Sequence, residues 1–209
     1  NRIWATEGDS PSFMYCLSNG LNDPEHPEYG GWGGRFSTGK VAGIRGMDWV
    51  KRNGLDEPQY DPYYMIPAAK EGSAAITRWK DAIYNDFIAR MQWTVKADYK
   101  AANHHPVAVV GKDRSLNSVH VICKAGKTIV LNASKSSDPD GDTLTFDWSI
   151  YREASGYQGD VTIIEKDQNR CRVMVPADAR GKDCHVILQV TDAGIPALTS
   201  YRRVILNIN

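Results

Sequence analysis

Residues Thr143-Leu144-Thr145-Phe146-Asp147-Trp148-Ser149-Ile150 alternate polar and apolar side chains. Alternation with period two is typical of a strand that has one face in a core, and Trp148 is placed to be the buried tryptophan of that core. Working outward, similar stretches predict strands over residues 106–110, 118–123, 128–133, 161–165, 170–175, 184–191 and 201–208. Short strands separated by Gly, Asp, Pro or Asn predict an immunoglobulin-like β-sandwich.

The first half of the chain contains most of the aromatic residues and has no such alternation. A short helix is expected over residues 11–18, ended by Asn19-Gly20 in a left-handed cap. A longer helix is expected over about residues 73–94, because Ile76, Trp79, Ile83, Phe87 and Met91 recur at helical spacing and indicate one buried face. Helices with no sheet between them indicate that this section lies against a sheet outside the sequence.

Between the two halves lies a polar stretch closed by Pro106. Polar residues followed by proline are typical of a domain boundary. We therefore expect one domain over residues 1–100, a linker over 101–106 with His104 and His105 at its surface, and the β-sandwich over 107–209. His185, beside a predicted strand start, is interpreted as a packed histidine rather than a ligand.

Charge and cysteine content narrow the function classes. Lys and Arg number 25, as do Asp and Glu, so the net charge is zero and a nucleic acid polymer is not an expected partner. No apolar run approaches the roughly 18 residues that cross a bilayer, so no membrane partner is expected. The cysteines lack zinc-type spacing. Those on predicted strands, Cys123, Cys171 and Cys184, are interpreted as small buried side chains, with one disulfide among them as the alternative.

Several runs resemble a known bacterial family. Residues 7–13, 19–35 (with Gly30-Gly31-Trp32-Gly33-Gly34-Arg35) and 78–87 are similar to cellulose-binding proteins that have a nucleoside-hydrolase-like domain, and residues 136–145 resemble the immunoglobulin-like domain that ends them. The resemblance covers nearly the whole chain. It implies an α+β fold overall, in which the C-terminal helices of a nucleoside-hydrolase-like α/β domain precede the sandwich. It also implies a secreted or periplasmic location and a partner in the N-terminal part of the same protein.

The resemblance further implies a calcium site. Nucleoside hydrolases ligate calcium through several aspartates, one of them before an apolar helix, and Asp9 has a similar setting. Because calcium takes six to eight oxygen ligands, Asp9 is expected to ligate it only together with the N-terminal part. The alternative for Asp9 is a carboxylate favoured by the helix dipole. Glu7 is expected to support the metal or to contact substrate.

Other residues are candidates for contact with a carbohydrate or nucleoside-like ligand. Trp32 beside Arg35, and Tyr63 beside Tyr64, offer flat groups that stack on sugar rings, and His26 could bond to hydroxyl groups. The alternative for Trp32 is a compact glycine loop whose indole fills the protein's own core. The alternative for the His26 segment is proline-spaced surface charge.

Asp138, Asp140 and Asp142 form a second candidate calcium loop. Their spacing resembles an EF-hand, but Ser149 stands where that motif requires a bidentate Glu. The alternative is a turn set by Pro139 and Gly141 that forms without an ion.

Three functions remain open from the sequence. The first is hydrolysis of a glycosidic or N-glycosidic bond by the intact protein, this chain alone being inactive. The second is non-catalytic binding of a cellulose-like polysaccharide, and the third is a structural spacer or docking domain. A shared fold does not decide among them.

Overall fold

The computed structural model describes residues 10–36 and 69–209. Within these ranges the helices are α1 (Ser10–Tyr15), α2 (Ala74–Thr77) and α3 (Lys80–Val95). The strands are β1 (Val119–Cys123), β2 (Thr128–Asn132), β3 (Thr145–Ile150), β4 (Thr162–Ile164), β5 (Arg170–Met174), β6 (Asp183–Thr191) and β7 (Thr199–Ile208).

The strands form two sheets that enclose a core. One sheet has the order β1-β7-β6-β3, with β1 parallel to β7 and the other pairs antiparallel, and the second has the order β2-β5-β4. The predicted β-sandwich is therefore confirmed. The predicted strand over residues 106–110 is wrong, because Val107 and Val110 make only single bridges, to Ser137 and Asp113. Pro106 has no N–H to donate, and the chain turns back on itself immediately after Val110.

Trp148 lies in the core between the sheets, as predicted. Its side chain is buried and its indole N–H donates to the carbonyl of Gln168 at 2.9 Å. The cysteines on strands or strand ends are also buried in this core, and all four cysteines are free thiols. Burial raises the pKa of Cys171 to about 12 and that of Cys184 to about 11. Their interpretation as small buried side chains is confirmed.

The sheet that contains β6 and β7 is buried on both faces. Its outer face contributes Tyr151, Ile187 and Tyr201 to a second apolar cluster, completed from the N-terminal half by Leu21, Trp32, Trp79 and Ile83. The described part of the N-terminal aromatic section therefore lies against a sheet of this same chain. The expectation that this section requires a sheet from outside the sequence is wrong for this face. The near-continuous apolar runs at 186–188 and 204–206 are typical of strands covered on both sides.

Residues Asn19 and Gly20 extend this sheet at its edge. The N–H groups of Tyr201 and Arg203 donate to the carbonyls of Asn19 and Gly20, both at 3.0 Å. The strand β1 pairs only with residues 204–208 of β7. Asn19 and Gly20 therefore lie along the same edge of β7, beside the preceding residues 201–203. Gly20 has a φ of 83°, which is the left-handed conformation predicted from the sequence. The predicted helix cap is wrong, however, because α1 ends at Tyr15 rather than at residue 18.

The helix predicted over 73–94 is two helices, separated at Arg78 and Trp79. The predicted stripe holds across this break, because Ile76, Trp79 and Ile83 all pack in the cluster on the outer face of the sheet. It fails after Ile83. The buried face of α3 consists of Ile83, Asp86 and Ala89. Phe87 and Met91, predicted to be buried, are 54% and 48% exposed.

A buried arginine joins the N-terminal segment to the sandwich. Arg203 on β7 donates to the carbonyls of Leu21 and Gly30 at 3.0 and 2.6 Å, and its Nη1 donates to Nδ1 of His185 at 3.0 Å. Burial lowers the pKa of Arg203 to about 10, so it stays protonated at neutral pH. His185 must then accept at Nδ1, and its interpretation as a packed histidine is confirmed.

His185 gives the protein a predictable response to acid. Burial and the nearby charge of Arg203 lower the pKa of His185 to about 3 from 6.5. The Asp183 carboxylate, 3.1 Å from Nε2, is more than a third exposed, so solvent screens it and burial dominates. Below pH 6.5 the unfolded chain binds a proton that the folded chain does not, so stability falls as the pH drops towards 3. The loss at pH 5 is about 2 kcal/mol.

His185→Gln removes this proton uptake while keeping an acceptor for Arg203. Urea unfolding at pH 7 and pH 5 is expected to show the parent losing about 2 kcal/mol more than the variant. Parallel losses in the two proteins would mean that His185 is not held neutral in the folded state.

Candidate functional site

Three of the residues predicted from the sequence, Glu7, Asp9 and Tyr63, lie outside the described residues. The roles suggested for them in metal or substrate binding stay predictions.

The Trp32 side chain is buried, although Trp32 is also among the residues that line a second cavity, described below. Gly31 and Gly34 bond to each other through both N–H and carbonyl groups at 3.0 Å, which closes a tight loop around the tryptophan. The Trp32 side chain is 2% exposed and its indole N–H donates to the Tyr201 hydroxyl at 3.3 Å. A sugar ring cannot stack on it in this conformation, and the interpretation as a compact loop that fills the core is confirmed.

Arg35 and His26 each have partners within the chain. Nε and Nη2 of Arg35 donate to the two Glu71 carboxylate oxygens at 2.5 and 2.8 Å. This bidentate pair raises the pKa of Arg35 and lowers that of Glu71. The His26 ring stacks on Tyr29, and its Nδ1 lies 2.9 Å from a Glu28 oxygen. The structure does not bring Arg35, His26 and Trp32 together around one cavity.

The aspartates of the second candidate calcium loop serve the loop itself. Oδ1 of Asp138 accepts from the N–H groups of Asp140 and Asp142 at 2.8 and 3.1 Å. Asp140 accepts from the His104 N–H at 2.7 Å. Residues 10–36 and 69–209 contain no group of three His, Cys, Asp or Glu side chains arranged to hold a metal ion. The other Asp138 oxygen, Oδ2, is buried without a hydrogen-bond partner in the described part of the chain. The role of the three carboxylates in calcium binding stays a prediction.

An open groove beside this loop is the first candidate site. Its volume is about 470 Å³, within the range of small-ligand sites. We call it the Tyr99 groove, and the side chains that define it are Tyr99, Lys100, Asn103, Asp140, Asp142 and Ile195. Tyr99 is 58% exposed, so its ring is accessible from solvent.

A stack of rings fixes the orientation of Tyr99. The Tyr99 and His104 rings are nearly parallel, with centroids 3.5 Å apart, and Trp93 is parallel to His104 at 5.7 Å. Asp140 holds the imidazole in place, with its oxygens 3.2 Å from Nδ1. The expectation that His104 and His105 are surface residues of a linker is wrong, since their side chains are only 18% and 28% exposed.

Asn103 anchors the wall of the groove to the sandwich. Its amide donates to Asp192 and to the Pro196 carbonyl at 3.0 and 2.8 Å, and its own carbonyl accepts from the Trp93 indole at 2.8 Å. The groove is therefore held from both the helix and the sandwich. Residues 101–106 take part in this packing.

The side chains of the groove suit a neutral, hydroxyl-rich ligand. The exposed Tyr99 ring offers a flat apolar face, while Asp140 and Asp142 accept hydrogen bonds and Lys100 donates them. Two carboxylates against one ammonium disfavour an anion. Burial, together with the charges of Asp138, Asp192 and Asp140, raises the pKa of Asp142. No periodic pattern in the sequence indicates this site, because the spacing of Trp93, Tyr99 and His104 is neither that of a helix nor that of a strand.

Two family models match the chain. The model described as cellulose-binding protein Sde0182, C-terminal domain, matches residues 128–208, and the nucleoside hydrolase-like domain of cellulose-binding Sde182 matches residues 1–36. The chain resembles the C-terminal portion of this cellulose-binding protein family. The resemblance stated from the sequence is thereby confirmed.

A solved structure from Saccharophagus degradans agrees with this result. It is described as a nucleoside hydrolase-related hypothetical protein associated with carbohydrate metabolism, and it is 44% identical to this chain with a TM-score of 0.85. The alignment covers 100% of this chain and 49% of that protein, so the chain spans about half of its length.

Other similarities are more distant. The PKD domain of the KIAA 1837 protein is 18% identical, with a TM-score of 0.32 over 44% of this chain and 81% of that domain. A structure of human CDH23 EC21-23 is 16% identical, with a TM-score of 0.37 over 50% of this chain and 35% of that one. No curated protein matches the chain. Among the described helices, none has the length and apolar character needed to cross a membrane.

Proposed function

We propose that this chain is the C-terminal portion of a secreted or periplasmic carbohydrate-binding protein, and that it binds a cellulose-like polysaccharide in the Tyr99 groove. The family descriptions and the related Saccharophagus degradans protein support an association with carbohydrate. The observation that carries the assignment to the groove is the exposed Tyr99 ring, fixed by its stack on His104 beside two carboxylates.

The groove combines the contacts that a neutral sugar needs. A pyranose has an apolar face, which covers the Tyr99 ring and removes it from water. Its equatorial hydroxyl groups donate to Asp140 and Asp142 and accept from Lys100. Because the ring is already fixed, little side-chain entropy is lost when the ligand binds.

Replacing the ring tests this proposal. Tyr99→Ala removes the stacking face, and the affinity for cellohexaose is expected to fall about tenfold or more. Isothermal titration with cellohexaose and sedimentation with insoluble cellulose measure the effect. Tyr99→Phe keeps the ring and should bind like the parent.

Phe87→Ala is the matched control. Phe87 is similarly exposed but is not part of the groove, so its loss should not change binding. If Tyr99→Ala binds cellohexaose as well as the parent, or Phe87→Ala loses as much affinity, the groove is not the polysaccharide site.

Hydrolysis by the intact protein is a second candidate function. The match of residues 1–36 to a nucleoside hydrolase-like domain favours it. In this proposal the N-terminal part of the protein supplies the reacting groups for a glycosidic or N-glycosidic bond, and this chain supplies the end of that domain. Turnover of nucleosides or aryl glycosides by the intact protein is the corresponding assay.

The N-terminal part of the same protein is also the partner we propose for this chain. The related structure is about twice as long. Exposed apolar side chains are available for such a partner, namely Phe87, Met91 and Val95 on α3 and, separately, Phe13 on α1.

A further inference from the structure

A second cavity lies between the N-terminal segment, α3 and the sandwich. Its volume is about 380 Å³, and it shares no lining residue with the Tyr99 groove. We call it the junction pocket, and the side chains used below are Asn19, Asp86, Arg90, His105 and Arg114. A cavity of this size accommodates a small ligand.

Asp86 is the buried anion of this pocket. It lies on the buried face of α3, and its side chain is 5% exposed. Nε and Nη2 of Arg90, one turn further along the helix, donate to its two oxygens at 2.7 and 3.2 Å. Nε2 of His105 lies 2.7 Å from the Oδ1 atom. Burial raises the pKa of Asp86, but the hydrogen bonds from His105 and Arg90 outweigh this effect and the net pKa is lowered. The carboxylate is therefore ionised and already has partners.

The donors around Asp86 are not all matched. Arg114 has no ion-pair partner among residues 10–36 and 69–209. The Oδ1 atom of Asn19 accepts from the N–H groups of Leu21 and Asn22. Its Nδ2, however, is buried without a hydrogen-bond partner in the described part of the chain. A buried donor without an acceptor is costly, so a ligand that supplies an acceptor is favoured.

The charge of the pocket selects the kind of acceptor. Two guanidinium groups, Arg90 and Arg114, and one carboxylate, Asp86, line the pocket. The excess is positive even when His105 is neutral. Guanidinium groups bind planar carboxylates in pairs of parallel hydrogen bonds. The junction pocket therefore differs in sign from the Tyr99 groove, which has an excess of carboxylates.

We infer that the junction pocket binds an acidic monosaccharide of the hexuronate type. The sugar carboxylate pairs with Arg114 and with the exposed side of Arg90, and a ring or hydroxyl oxygen accepts from Nδ2 of Asn19. The choice of a sugar rests on the proposed carbohydrate function. The choice of an anion rests only on the unmatched donors of the pocket.

Isothermal titration of the full chain with sodium glucuronate, at low salt, tests the inference. Glucose is the neutral probe and inorganic phosphate the anion without a sugar. Glucuronate is expected to bind, with an affinity about tenfold or more above that of glucose. Added salt should lower the affinity for glucuronate, since the contact is ionic.

Arg114→Gln is the diagnostic variant, and it is expected to lower the affinity for glucuronate about tenfold. Arg114 is exposed, so the fold should be retained, and an unchanged urea midpoint verifies this. Arg180→Gln is the matched control. Arg180 is exposed. It adjoins Gly181, whose N–H donates to the Ile208 carbonyl at one end of β7. Ser200, which lines the pocket, lies near the other end of that strand. The Arg180→Gln variant should bind glucuronate with the affinity of the parent.

Three results would overturn the inference. They are no heat of binding with glucuronate, equal affinities for glucose and glucuronate, and equal affinities for phosphate and glucuronate. Tyr99→Ala separates this inference from the groove, because it should lose cellohexaose and still bind glucuronate. If Tyr99→Ala bound neither cellohexaose nor glucuronate, the claim that the two ligands occupy independent sites would be contradicted.

Discussion

Trp32→Ala is expected to destabilise the protein by about 3–5 kcal/mol, the usual cost of removing a large aromatic side chain from a core. Trp32 is 2% exposed and meets Tyr201 edge to face at 6.1 Å. Its truncation leaves a cavity under the outer face of the sheet and removes the donor to the Tyr201 hydroxyl. Urea unfolding followed by circular dichroism measures the loss.

Trp32→Phe separates packing from the indole hydrogen bond. It keeps most of the ring and should cost about 1–2 kcal/mol, mainly from the lost donor and the smaller volume. At temperatures where each variant is folded, cellohexaose binding should be unchanged in both. A Trp32→Ala protein as stable as the parent that no longer binds sugar would mean that Trp32 is a ligand contact after all.

The sandwich could be predicted from the sequence because its signal is local. Alternation over five to eight residues identifies a strand without knowledge of its partners. Residues 143–150 and 170–175 each carried this signal, and β3 and β5 lie there. The strand β6 was instead indicated by its apolar run. The stretch 106–110 is apolar as well, but it makes only single bridges, and pattern alone does not distinguish an apolar connection from a strand.

The relation between the halves could not be predicted in the same way. The outer face of β6 and β7 is covered by Leu21 and Trp32, more than 150 residues away in sequence. The apolar runs 186–188 and 204–206 are consistent with burial on both faces, but they do not say what covers the second face. A buried polar residue, Arg203, holds this interface together, and no hydrophobic pattern identifies such a residue.

The candidate sites depended on the same long-range information. The Tyr99 groove arises where Trp93 of α3, His104 and Asp140 of the sandwich meet. The junction pocket depends on the rotation of α3, which turns Asp86 inward in place of Phe87. The helical spacing of apolar residues predicted the burial of Phe87 and Met91 instead, because steps of three and of four residues from Ile83 are both compatible with one helix face.

Gly20→Ala is expected to cost about 3 kcal/mol or more. Gly20 has a φ of 83°, and a Cβ at this position would lie 1.9 Å from the carbonyl oxygen of Tyr201. Since that atom is backbone of β7, it cannot move aside as a flexible side chain could. The segment must instead leave the edge of the sheet. This breaks the hydrogen bonds from Tyr201 and Arg203 to Asn19 and Gly20 and loosens the cluster around Trp32.

Gly111→Ala isolates the steric part of this effect. Gly111 also has a positive φ, 64°, but a Cβ there would meet nothing within 4 Å. Replacing Gly111 by alanine should lower the free energy of unfolding by about 1 kcal/mol, the cost of the left-handed backbone conformation alone. The difference between the two unfolding free energies, about 2 kcal/mol or more, measures the cost of separating residues 19–20 from β7. Equal losses would show that this edge contact contributes nothing to stability, and that the N-terminal segment is held by its side chains alone.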